Sequence, residues 1–466
     1  MVFSSLLFLF SFLPFVLVGN FAWRNIKWQN ILLFIASLYF YAWGEKEKVF
    51  VMIGSILLNY WIGIEIAKNK KKQLALIIGV IINLGVLVYF KYSKFFVSNI
   101  NELLSIFMIP EITGLKYERL PIGISFYTFQ SISYLVDVYR KEAKPQRNFI
   151  NLGLYIALFP QLIAGPIVRY RSISEQLSKR KTTLNDFNIG IKRFTIGLGK
   201  KMLIANPIAY VVDEILFLPS SEIGFSLAWV AALGYSLQIF FDFSGYSDMA
   251  IGLGRMFGFK FPENFNYPYI SKSIKEFWNR WHITLSIWFR DYLYISLGGN
   301  RRGEIITIRN LIIVFFITGL WHGASWSFIV WGLFHGVFML LERFGLSKIL
   351  VKIPKPFQIL YTLLVVVFAW IFFRLENISD AFNIQKAMIG FGDPNSTYSV
   401  EMFTNNYFWF VFTFGILYSL PWNKYLSINK LSHFKWINSI VLLIILVLSI
   451  SELANNTYNP FIYFRF

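Results

Sequence analysis

Long apolar runs alternate along this chain with short loops that carry lysine and arginine. The first run, Met1 to Gly19, resembles the apolar part of a signal peptide. It lacks both a basic segment before it and a small-residue cleavage site after it, so it is expected to stay as a first span. Further spans are predicted near 30–43, 49–67, 73–90, 121–137, 190–217, 227–250, 357–374, 407–421 and 437–451, some of them short of the ~20 residues a membrane helix needs. Lys68-Asn69-Lys70-Lys71-Lys72 is the strongest cytoplasmic marker. Counting back from it puts the amino terminus outside, and counting forward puts the basic stretch Arg140 to Arg147 inside.

Three segments break this simple alternation. Phe149 to Val168 is apolar but is followed by Arg169, Arg171, Lys179, Arg180 and Lys181, a second cytoplasmic signature, and is interrupted by Pro160 and Gly165-Pro166. It is predicted to re-enter from the cytoplasmic side, because broken backbone at membrane depth is tolerated where protein or a cavity surrounds it. Arg255 to Arg309 is rich in basic residues and broken by Pro262, Pro268 and Gly298-Gly299, so it too is expected to face the cytoplasm. Leu311 to Leu341 is basic on both flanks, which predicts a hairpin or sharp break around Gly319 to Ser325. At ~1.5 Å per residue the climb from Asn310 to Leu320 is about 16 Å, roughly half of a ~30 Å hydrocarbon core, which places His322 near the midplane.

Composition agrees with an integral membrane protein: 56% of residues are hydrophobic, against about 45–50% in soluble domains. The 51 Phe, 25 Tyr and 15 Trp suit lipid contact and interfacial anchoring. The net charge of +19 lies in loops between apolar runs, which explains orientation in a bilayer better than nucleic-acid binding. Absence of cysteine excludes disulfides, thiolate metal sites, cysteine nucleophiles and S-palmitoylation. No repeat or soluble domain is evident, and the polar insertion Ile389 to Asn406, free of basic residues, is expected outside the cytoplasm. The expected architecture is all-α and polytopic, one integral domain over 1–466 with about ten to twelve spans plus re-entrant segments.

Candidate chemistry centres on two of the four histidines. His322, in Gly319-Leu320-Trp321-His322-Gly323-Ala324-Ser325-Trp326, is an ionisable group inside an apolar run, which marks a site. His282 also follows a tryptophan, in Trp278-Asn279-Arg280-Trp281-His282-Ile283-Thr284, so the two Trp-His pairs point to one buried centre. A packing histidine, with Gly319 and Gly323 as a Gly-x-x-x-Gly helix contact, is the alternative for His322. Around His282, the residues Trp278, Trp281, Leu285, Trp288 and Phe289 follow helical spacing, with Asn279, Ser286 and Arg290 on another face. Those tryptophans fit an interfacial anchor as well as a site. His335 should not share a face with His322 on an unbroken helix and is assigned to packing, and His433 to a solvated loop. Asp242-Phe243-Ser244-Gly245-Tyr246-Ser247-Asp248 places two carboxylates at the end of an apolar run, where they bind a polar substrate or pair with Arg255 or Arg290.

Several chemistries are disfavoured by spacing. Gly252-Leu253-Gly254-Arg255-Met256-Phe257-Gly258 misses a dinucleotide fingerprint, and Gly197-Leu198-Gly199-Lys200-Lys201 misses a phosphate loop. Ser125 and Ser244 lack the glycine pair of a nucleophile elbow, and no close pair of histidines supports a metal. What remains is histidine as a general base, whose ordinary pKa of ~6.5 suits proton acceptance near neutrality and whose neutral form burial favours.

Taken together, Phe159-Pro160-Gln161-Leu162-Ile163-Ala164-Gly165-Pro166-Ile167, the 242–248 motif, Phe277-Trp278-Asn279-Arg280-Trp281-His282-Ile283 and Gly319-Leu320-Trp321-His322-Gly323 resemble the membrane-bound O-acyltransferase superfamily. Within it they are similar to the alginate O-acetyltransferase membrane-subunit branch, which includes peptidoglycan O-acetylating relatives. The likeness runs from the first span to the terminal Pro460-Phe461-Ile462-Tyr463-Phe464-Arg465-Phe466. It implies a fold with a central tunnel, His322 as the catalytic histidine and His282 as its companion. It further implies acetyl-CoA as cytoplasmic donor, no metal, and a bacterial inner-membrane location. An extracytoplasmic SGNH-type partner enzyme would pass the acetyl group to a cell-surface polysaccharide. Trp281, Trp321, Asn279, Asp242, Ser244, Tyr246, Asp248 and Arg290 are the candidate substrate contacts. The final acceptor stays open among alginate, peptidoglycan, another exopolysaccharide and teichoic acid, and bulky Trp and Phe near the histidines favour acetyl over a long acyl chain. The competing reading is a proton-coupled polysaccharide or lipid transporter using His322 and Asp242 as a relay.

Overall fold

A computed structural model describes the chain except residues 24, 69–70, 393–397, 423–434, 456–457 and 461–466. His433 lies outside the described residues, as does most of the terminal motif. Helices make up the regular structure, with no strand among the described residues. Seven stretches are long and apolar enough to cross a membrane, one of which, 26–67, holds two successive helices, Ile26–Glu45 and Val49–Ala67. Two apolar helices, Phe8–Ala22 and Asn406–Tyr418, are shorter.

Besides these two, which correspond to the predicted first span and to 407–421, two further predicted spans are not among the seven. The 121–137 run forms a 16-residue helix, Ile124–Tyr139, buried on nearly every face even though it carries Ser125, Thr128, Gln130, Ser131, Ser133 and Asp137. The 190–217 run falls on Leu184–Gly199 and Asn206–Leu216, joined through a π-helical turn, Lys200–Ala205, and it carries Lys192, Arg193, Lys200 and Lys201. Charge there serves ion pairing inside the protein. The broken 149–168 segment is as expected too short to cross. Its helix Phe149–Ala157 has 9 residues, about 13 Å at ~1.5 Å each, before the chain turns at Leu158.

The chain divides into two compact units, one formed mainly by residues 1–190 with 253–262, the other by 191–252 with 263–465. In the first, Ile124–Tyr139 packs against Val49–Ala67 and Lys72–Ile106. The second contains every candidate site residue.

Its central device is a helical hairpin. Helix Glu304–His322 stops, Gly323 and Ala324 turn the chain, and Ser325 caps helix Trp326–Leu341 through a long bond from the Phe328 amide to its hydroxyl, 3.5 Å. The break sits where the basic flanks predict it. The first helix begins at Glu304 rather than near Asn310, so the ascent to His322 is longer than the sequence suggests, about 28 Å for 19 residues. Glycines let the two helices touch. A Cβ on Gly319 would lie 2.3 Å from the Phe328 carbonyl oxygen, and one on Gly332 would lie 2.3 Å from that of Phe315. The close contact that builds the hairpin is thus Gly319 against Gly332, and not a Gly319-x-x-x-Gly323 face, because Gly323 lies past the helix end in extended backbone. Gly332→Val is therefore expected to destabilise the protein by about 3 kcal/mol or more through overpacking against backbone. A thermal unfolding midpoint in detergent within a degree of the parent would contradict this.

Candidate active site

His282 is held by a clamp. Helix Ile274–Arg280 ends, His282 takes a left-handed backbone conformation (φ 43, ψ 51), and helix Ile283–Trp288 starts directly after it. The continuous helix expected from Trp278 to Phe289 is therefore broken at the histidine. Left-handed geometry costs an L-residue about 1–2 kcal/mol, and Asn264 supplies the compensation. The Asn264 carbonyl accepts from the Ile283 amide at 3.0 Å, and its side-chain oxygen accepts from the Thr284 amide at 3.3 Å and the Thr284 hydroxyl at 2.8 Å. The same oxygen lies 3.1 Å from His282 Nδ1.

This arrangement sets the tautomer. A backbone amide only donates, so the Asn264 atom facing it is the oxygen, and Nδ1 must carry the proton it shares with that oxygen. Nε2 then holds the lone pair. His282 is fully buried and lies between spans, and burial holds its imidazole well below the ordinary range, leaving it neutral. Its ring meets Phe243 edge-on at 4.6 Å and Trp321 at 6.1 Å.

His322 ends its helix, 3% exposed, with Trp321, Trp331 and Phe373 around its ring at 4.8, 4.9 and 4.9 Å. Trp321 therefore has both histidine rings as neighbours. Trp281 joins the same aromatic wall through Phe277 and Trp370. His335 packs on Trp331, one turn earlier on its own helix, at 5.2 Å and stacks on Phe277, and the reversal at Gly323 sets that same indole against His322. His335 is fully buried, as a packing residue should be.

The carboxylate motif resolves into ion pairs, but not with Arg255 or Arg290. Gly197 and Gly245 meet so closely that a Cβ on either would lie 2.5–2.7 Å from the other's carbonyl oxygen. That approach sets Lys200 and Lys201 beside the long helix Phe225–Met256. Asp242 pairs with Lys201 at 2.6 Å, both buried, while Asp248 pairs with Lys200 and Arg193 at 2.7 Å each. Arg255 instead pairs with Asp186, and Arg290 with Asp291. Removing one member of a buried pair strands the other, so Lys201→Met is expected to cost about 3–5 kcal/mol, and Lys201→Met with Asp242→Leu to recover most of it. A double variant no more stable than the single, by thermal unfolding, would count against this.

Two hollows border these groups. A cavity of about 670 Å³ is lined by Ser244, Ser247, Asp248, Arg193, Lys200 and Asn264, and also reaches Ile283, next to His282. A groove of about 200 Å³ is lined by Asn279, Ser286 and Arg290 together with Trp278 and Phe315. Of the candidate substrate contacts, Ser244 and Asp248 face the cavity and Asn279 and Arg290 the groove. Trp281 and Trp321 wall the histidines, whereas Asp242 and Tyr246 line neither hollow and are buried. Asn264, Lys200, Lys201 and Arg193 escaped the sequence reading. Only the adjacency of basic residues to Gly197-Leu198-Gly199 hinted at the pairing. Among the described residues no group of three or more His, Asp or Glu side chains is placed to hold a metal ion.

Residues 140–379, which include both histidines, match the membrane-bound O-acyltransferase family. The chain is 40% identical to the probable alginate O-acetylase AlgI of Pseudomonas putida over 100% of both chains. It is 46% identical to the protein of that name from Pseudomonas aeruginosa, over 84% of this chain and 75% of the relative. It is 39% identical to the peptidoglycan O-acetyltransferase of Helicobacter pylori, over 84% of this chain and 80% of the relative.

Proposed function

Because the chain belongs to the membrane-bound O-acyltransferase family, we propose that this multi-pass O-acyltransferase moves an acetyl group from cytoplasmic acetyl-CoA to an extracytoplasmic acceptor for O-acetylation of a cell-surface polysaccharide. The relatives named for alginate and peptidoglycan support that acceptor class, and they favour the bacterial cytoplasmic membrane as its place. A separate SGNH-type enzyme outside the membrane completes delivery to the polymer.

The observation that carries the reading is the pair of buried histidines that neighbour Trp321. His322 acts as general base: it takes the proton of an acceptor hydroxyl as that oxygen attacks the thioester carbonyl. The tetrahedral intermediate collapses with rupture of the C–S bond, and the leaving thiolate recovers the proton. His282 orients the acceptor. Its Nδ1–H is committed to Asn264, so Nε2 offers a lone pair suited to accept from a hydroxyl and unsuited to donate to an oxyanion. Basic residues facing the cytoplasm hold the donor's phosphates.

Detergent-purified protein given radiolabelled acetyl-CoA and an acceptor hydroxyl should release free CoA and label the acceptor. Absence of specific binding and of CoA release would return the protein to the transporter reading.

A further inference from the structure

Arg180 belongs to the unit formed by residues 1–190 and 253–262, and only 8% of its surface is exposed. Its Nε donates to the Phe257 carbonyl at 3.1 Å, its Nη1 to Asn30 Oδ1 at 2.5 Å, and its guanidinium lies 4.3 Å over the Phe259 ring. These contacts fix the head group, yet none of them carries negative charge. Nη2 is buried with no hydrogen-bond partner. Desolvation pushes the guanidinium down to about 10, so it stays charged at neutral pH. Asp186, close by in sequence, is committed to Thr183 and to Arg255 at 3.0 Å.

The same arginine lines a cavity of about 520 Å³ with Gln29, Lys181, Thr182 and Thr183, and among the described residues no acidic side chain lines it. The rest of the lining is apolar, with Phe21, Ile26, Leu184 and Phe187. One part thus offers two cations and hydroxyls, the geometry that receives a phosphate, and the other offers a surface for a hydrocarbon chain. Both contributing loops carry a cytoplasmic assignment. Arg169 to Lys181 is basic, and the turn at 23–25 between the first two spans falls on the same side when counted back from Lys68 to Lys72. Trp23, 62% exposed in that turn, is the residue type that settles at a membrane interface. The cytoplasmic leaflet is where anionic lipids meet basic pockets between helices.

We propose that this cavity is a binding site for an anionic phospholipid, whose headgroup phosphate bonds Arg180 Nη2 and Lys181 while its chain lies along Phe21, Ile26 and Phe187. It is a site additional to the histidine centre, and its occupant is a lipid rather than a substrate. An exposed cavity of free phosphate affinity would not need the apolar wall.

The test uses the full chain, stripped of lipid in neutral detergent, with short-chain phosphatidylglycerol or phosphatidylcholine of matched chains added back. Thermal unfolding and native mass spectrometry should show stabilisation and adduct retention for phosphatidylglycerol alone. Arg180→Met, which keeps the stem and removes the charge, should weaken that retention by at least about tenfold, the scale of one charge-assisted hydrogen bond. Should Arg180→Met fail to fold, Lys181→Gln, altering an exposed side chain, should still reduce retention of phosphatidylglycerol. Equal stabilisation by both lipids, or undiminished phosphatidylglycerol retention in a folded variant, overturns the proposal. Loss of acetyl-CoA binding in Arg180→Met with no lipid dependence would place the donor's phosphate there instead and also overturn it. Lipid retention is read without any acetyl transfer, so its failure is distinct from failure of the acyltransferase reading.

Discussion

His322→Ala is expected to leave a folded, membrane-inserted protein whose acetyl transfer is about 10²–10⁴-fold lower, the range that a positioned general base contributes. The imidazole sits at the end of helix Glu304–His322, walled by Trp321, Trp331 and Phe373. Truncation removes the proton acceptor while the hairpin keeps its glycine contacts at Gly319 and Gly332 and its Ser325 cap. Folding and catalysis should therefore separate. Specific activity is to be measured on monodisperse protein with matched unfolding midpoints. Retention of more than a few per cent of parental turnover would remove His322 from the chemistry.

The second large effect concerns His282. His282→Ala should lose most acetyl transfer yet bind acetyl-CoA with near-parental affinity, because the donor's phosphates rest on basic residues and not on this ring. Asn264 makes the prediction sharper. It fixes the His282 tautomer through Nδ1 while also supporting the backbone at Ile283 and Thr284. A purely structural His282 would give lower yield and stability with unchanged turnover per folded molecule. A positioning His282 would give normal donor affinity with a fall in kcat of about 10² or more, towards the lower end of what a positioned side chain supplies. Donor binding and turnover measured on the same preparation decide between them, and normal specific activity would sink the positioning role.

Much of this protein was legible as a one-dimensional pattern. The apolar runs, the basic flanks that predict the break of 311–341 at Gly323 to Ser325, the interruption of the 149–168 segment and the two Trp-His pairs depend on neighbours in sequence. Helix length and capping are likewise local properties of the backbone. The helical run around His282 misled because spacing alone does not register a single left-handed residue, and only the distant Asn264 makes that conformation affordable.

Tertiary structure alone decided the pairings. Asp242 meets Lys201 across 41 residues, and His282 meets Asn264 across 18. The reversal at Gly323 brings Trp331, nine residues on, against His322, a contact no unbroken helix allows. Composition and periodicity report which residues must be buried. The close approach of Gly197 to Gly245 determines which buried charge finds which partner, because a lysine head group reaches a carboxylate only where two backbones lie within a side-chain length of each other.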